Sequence, residues 1–124
     1  MKILILYLEP SVMKMLEACL TAEGYSVTST ADASEAIKAI EDTSDSYLLI
    51  ADNFHLSPGA QQAFTTLHNR PDLRNRVKIV GVSAMSQGAY EWIADNRIDD
   101  HLTMPFSLDH LLDVVRAHVG LPPD

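Results

Sequence analysis

Five short apolar runs, each followed by a stretch with helical spacing, constrain this 124-residue chain more than anything else in it. Residues 3–8 form an unbroken apolar run, too short for a core helix and suited to a strand buried on both faces. Similar runs stand at 47–51 and 77–82, with weaker ones at 25–29 and 101–103. Between them, Val12, Met15, Leu16, Cys19 and Leu20 recur at helical spacing, and Gly24 supplies a left-handed stop. Asp32 with Glu35 resembles a capping box opening Ala36, Ile37 and Ile40. Pro58-Gly59 is expected to break the chain before a helix through Ala63, Phe64 and Leu67, and Arg70-Pro71-Asp72 to form a loop. A short helix is expected over 89–95, with Asn96 as its left-handed cap. Ser107 is expected to cap a last helix carrying Leu108, Leu111, Leu112, Val115 and Val119, closed by Gly120.

Strand and helix alternating about five times require right-handed crossovers and a parallel sheet covered on both faces. The fold class expected is α/β, a single flavodoxin-like (βα)5 doubly wound sandwich with five strands in the order 2-1-3-4-5. One domain over 1–120 with a tail at 121–124 follows from the length and from 47% hydrophobic content. Lys+Arg number 9 against 17 Asp+Glu, so attraction to nucleic acid or anionic lipid is disfavoured. The single cysteine, Cys19, excludes a disulfide framework and fits a reducing cytoplasm. No membrane span and no signal-peptide pattern are present in the sequence, so a cytoplasmic location is expected.

In this topology the residues that end strands one, three, four and five share one crevice, which should hold Tyr7, Leu8, Glu9, Asp52, Ser83 and Met104. No glycine-rich phosphate loop follows the first strand, where Glu9-Pro10-Ser11 stands, which speaks against a nucleotide or flavin site. The histidines lack zinc-ligand spacing. Asp52 is either a phosphate acceptor or a strand-end acid bonded to loop amides, and Ser83 either a switch hydroxyl or a local cap.

The ordered set Ile3-Leu4-Ile5-Leu6 before Glu9-Pro10, Ala51-Asp52-Asn53-Phe54-His55-Leu56, Val82-Ser83-Ala84, and Asp99-Asp100-His101-Leu102-Thr103 before Pro105-Phe106 resembles response-regulator receiver domains of the CheY-like family. The resemblance covers essentially the whole chain. It implies that Asp52 is the phosphoacceptor candidate, that Ser83 and His101 hold the switch positions, and that the molecule is a signalling module rather than an enzyme. It equally implies a degenerate site, because Tyr7 and Leu8 replace the acidic pair that binds magnesium and Met104 replaces the lysine. No cofactor is then expected, with Mg2+ only if the site functions and Glu9 and Asp52 as weak metal candidates. The implied partners are a histidine kinase or a downstream effector. Tyr90, Trp92 and His101, beside the outward residues Asp109, Asp113 and Arg116, are candidates for the partner face; a monomer or weak homodimer is expected.

Overall fold

The computed structural model describes residues 1–6, 10–52, 58–83, 91, 98–104 and 106–120. Five parallel strands, β1 (Lys2–Leu6), β2 (Val27–Thr30), β3 (Tyr47–Asp52), β4 (Val77–Ser83) and β5 (Asp100–Thr103), form one sheet in the order β2-β1-β3-β4-β5. The described helices are α1 (Pro10–Ala22), α2 (Ala33–Glu41), α3 (Pro58–His68), the single turn α4 (Pro71–Arg74) and α5 (Leu108–Val119). This is the flavodoxin-like order expected from the strand–helix alternation.

Side-chain alternation along the strands divides the core in two. Leu4, Leu6, Leu49, Ala51 and Ile79 face Ala36, Ile37 and Ile40 of α2 and Ala63, Phe64 and Leu67 of α3. Ile3, Ile5, Leu48, Ile50, Val80, Val82 and Leu102 face Leu16 and Leu20 of α1 and Leu111, Leu112 and Val115 of α5. The continuous apolar runs of β1, β3 and β4 are thus explained by burial on both faces, each large side chain contributing about 1.5–3 kcal/mol.

The helix ends follow the chemistry of their residues. Asp32 caps α2 by accepting bonds from the Ser34 and Glu35 amides, while its own amide donates to the Thr30 hydroxyl, which in turn donates to Glu35 at 2.7 Å. The expected capping box therefore closes through Thr30 instead of directly. Gly24 takes φ 96° at the end of α1, and Gly120 takes φ 84° at the end of α5, as the stop signals require. Ser107 caps α5 by accepting the His110 amide.

Several expectations are corrected. Pro58 and Gly59 do not precede α3 but form its first turn, where a missing proline N–H costs nothing. Residues 70–72 are not a loop: Pro71 opens α4, and Arg70 lies at its N-cap. β2 begins two residues later than the alternation suggested, since the buried Tyr25 packs into the core ahead of the strand. Met15 and Leu108 share the spacing of core residues yet stay about half exposed. Leu108 lies in the first turn of α5 before the apolar face begins at Leu111. The expected helix over 89–95 and its Asn96 cap lie outside the described residues but for Glu91.

Candidate functional site

Parallel strands bring their carboxyl ends to one edge of the sheet, and the strand order reverses between β1 and β3. Asp52 is the last residue of β3 and Ser83 the last of β4. In register, Leu6 pairs with Ala51, Asp52 with Val82, and Ser83 with Thr103. The backbone therefore carries Asp52, Ser83 and Thr103 to three adjoining strand ends beside the switch point, as topology alone anticipates. Tyr7, Leu8, Glu9, Tyr90 and Trp92 lie outside the described residues.

Along β5, His101 and Thr103 are two residues apart and so share a face; His101 Nδ1 lies 3.3 Å from Thr103 Oγ1, both side chains half-buried. His101 is thereby joined by one side-chain contact to the residue paired with Ser83. Met104 follows directly. Its half-buried side chain packs, with Phe106 and with Val12 and Met13 of α1, against the core cluster on the α1–α5 face. An apolar thioether held among hydrocarbon brings no charge to the edge that Asp52 ends.

On the opposite face of β5, Asp100 uses both carboxylate oxygens. Oδ1 accepts the His101 amide at 2.8 Å, and Oδ2 lies 3.0 Å from Nε2 of His118 in the last turn of α5. Sequence reasoning missed this pair, since nothing in an 18-residue separation across a loop marks it. It also missed Arg74 and Arg76. Arg74 bonds the Val77 carbonyl and Asp99 Oδ2, which also accepts the Ile79 amide at 2.6 Å. Arg76 donates to the Asp45 and Ile40 carbonyls, closing the end of α2.

Among the described residues, ionisation is shifted at two ion pairs, one of them at the amino-terminal end of β1. Lys2 and Asp45 pair at 2.9 Å, their hydrogen bond holding the Asp45 carboxyl below and the Lys2 ammonium above its ordinary range. Arg70 does the same to Asp72. Among the described residues no three His, Cys, Asp or Glu side chains gather as metal ligands.

The geometry finds close counterparts. The receiver domain of a sensor histidine kinase from Pseudomonas aeruginosa, solved with magnesium coordinated in its active-site cleft, matches with a TM-score of 0.77 at 25% identity, over 96% of this chain and 97% of that one. A two-component response regulator from Clostridium difficile matches at 0.72 and 27% identity, over 94% and 93%. The response regulator TrrA from Thermotoga maritima, solved in complex with Mg2+ and BeF, matches at 0.74 over 94% and 98%; at 24% identity that likeness speaks for the fold alone. No protein-family model and no curated protein matches the chain. Its structural neighbours are response-regulator receiver domains, and the chain has their fold. Those neighbours belong to two-component signal transduction.

Proposed function

We propose that the chain is a degenerate receiver, a signalling module that works through protein contacts without magnesium-dependent phosphorylation. The packing of Met104 carries this reading. At the strand end where the resemblance puts a lysine stands a half-buried methionine set against an apolar cluster. Tyr7 and Leu8 stand where it puts the acidic pair. Magnesium demands near-octahedral oxygen ligation and dehydrates reluctantly, so Asp52 with a tyrosine and a leucine at the sequence positions of the acidic pair is a donor set that does not fit it. Phosphoryl transfer rests on neutralising charge on the transferred oxygens, and removing one such stabiliser commonly costs ~10²–10³ in rate. Losing both metal and lysine leaves Asp52 an acceptor without machinery.

The partners of such a module are signalling proteins, a histidine kinase or an effector, met at the face that includes His101 and the exposed Asp109, Asp113 and Arg116 of α5. Catalysis is no part of this role, and the reducing cytoplasm suits its single cysteine. No described helix is long and apolar enough to cross a membrane. One observation favours a second reading, a working receiver phosphorylated on Asp52: Asp52 and Ser83 end adjoining strands, as an acceptor and a switch hydroxyl would. Titration with Mg2+, followed through the amide resonances of Ala51 and Val82, separates the two. The degenerate receiver shows no saturable shift; millimolar or tighter binding that disappears in Asp52→Asn establishes the working one.

A further inference from the structure

α2 and α3 pack side by side over one face of the sheet, and between them lies a cleft of about 250 Å³. Ala33, Ile37 and Glu41 of α2 recur four apart, as do Gln62 and Thr66 of α3, so each helix gives the cleft one stripe. Ala33 and Ile37 belong to the buried cluster and form an apolar floor. Exposed Ser34 and Gln62 and half-buried Thr66 stand around it. Among the described residues, Glu41 is the one charged group in the lining. Its ion pair is loose: Nη1 of Arg70 lies 3.7 Å away, beyond hydrogen-bond length, with both side chains 44% exposed. Arg70 spends its fork on Asp72 instead, donating from Nε and Nη2 to the two carboxylate oxygens at 3.2 and 2.9 Å. The Thr66 hydroxyl donates to the Gln62 carbonyl at 2.9 Å, so its oxygen meets other groups as an acceptor.

We propose that the α2–α3 cleft is a docking site for an arginine side chain presented by a partner protein. The aliphatic stem of that arginine lies on the Ile37 floor, and its guanidinium forks onto the Glu41 carboxylate, which Arg70 leaves open to a bidentate partner. Arginine carries five N–H donors and no acceptor, which suits a lining whose charged group and Thr66 oxygen both accept. The volume holds one long side chain, and it falls short of the roughly 300–1,000 Å³ typical of pockets for drug-sized ligands. A net charge of −8 draws basic partners towards the surface that carries it. That a protein brings the arginine rests on reading the chain as a signalling module; the site itself is the same whether or not Asp52 accepts phosphate.

Amide resonances of the full chain test it, with Nα-acetyl-arginine amide as the probe. Saturable shifts should gather at Ala33, Ile37, Gln62 and Thr66, and the uncharged Nα-acetyl-norleucine amide should produce none at the same concentration. Glu41→Gln, isosteric and at an exposed position, should weaken the probe about fivefold. Gln62→Lys, at the exposed rim, should weaken it as much by repulsion, independently of Glu41. The proposal is overturned if no saturable shift appears in the cleft, if the norleucine amide binds as well as the probe, or if either variant binds it as the parent does. Free L-arginine binding more tightly than the blocked form would mark a site for the amino acid itself and would equally overturn docking. These readings are independent of the Mg2+ titration at Ala51 and Val82, so failure of the docking site is told apart from failure of the degenerate receiver.

Discussion

Asp99 shows how much one carboxylate can organise. Its Oδ2 receives both the Arg74 guanidinium at 3.1 Å and the Ile79 amide at 2.6 Å, with the side chain only 23% exposed, so α4, β4 and the approach to β5 meet at one atom. Replacement by alanine strands the Ile79 amide and leaves Arg74 only its bond to the Val77 carbonyl, a loss of about 1–3 kcal/mol. Urea unfolding of Asp99→Ala should show it, and Asp72→Ala, whose partner Arg70 is solvent-exposed, should unfold like the parent. Lys2 and Asp45 give a pH-dependent counterpart. The depressed Asp45 carboxyl contributes above its unfolded value of 3.8 and loses that contribution as pH falls through its folded value. The raised Lys2 ammonium contributes below 10.5 and loses its contribution as pH rises through its folded value. Lys2→Met should therefore have a slightly lower urea midpoint than the parent at neutral pH. The gap closes in acid once Asp45 protonates, and it shrinks in high salt. A gap that persists in acid contradicts the assignment.

Helix ends carry much of the local specification, and α2 provides the clearest test. Asp32→Ala removes the acceptor for the Ser34 and Glu35 amides, which should cost about 1 kcal/mol, or roughly 3–5 °C in Tm. Among the described residues Asp42, at the other end, joins its helix only through its backbone N–H, so Asp42→Ala should leave the thermal transition in place. These caps were legible because they depend on residues three or four apart. So were the strands, whose apolar runs record burial on both faces, and from them the sheet order. What escaped the sequence was set by tertiary contact. Tyr25 reads as the start of a strand but is claimed by Gly120, 95 residues away. Pro58 and Pro71 read as breakers, yet proline also opens helices, and nothing local distinguishes the two uses. Met15 and Leu108 keep helical spacing while pointing to solvent, because the apolar stripe is narrower than the pattern that announces it. At the site, strand ends located Asp52 and Ser83, whereas the Asp100–His118 and Arg74–Asp99 pairs join residues that no spacing relates.

Seen as a whole, the molecule has the fold of its receiver-domain neighbours, and the proposal of a degenerate receiver turns on one edge of the sheet. Both core faces are filled, and the registers run unbroken to Asp52 and Ser83. The edge that would handle phosphate holds Met104 packed in hydrocarbon, with Tyr7 and Leu8 in the sequence where carboxylates would be needed. A scaffold so retained suits a module recognised by its surface, one whose net charge of −8 favours partners with basic faces. Intact mass after incubation with acetyl phosphate, with and without Mg2+ and beside an Asp52→Asn control, tests the degenerate receiver most directly. The protein should gain no phosphoryl group beyond the control in either condition. A single adduct that requires Mg2+ and vanishes in Asp52→Asn would contradict it and establish a live acceptor.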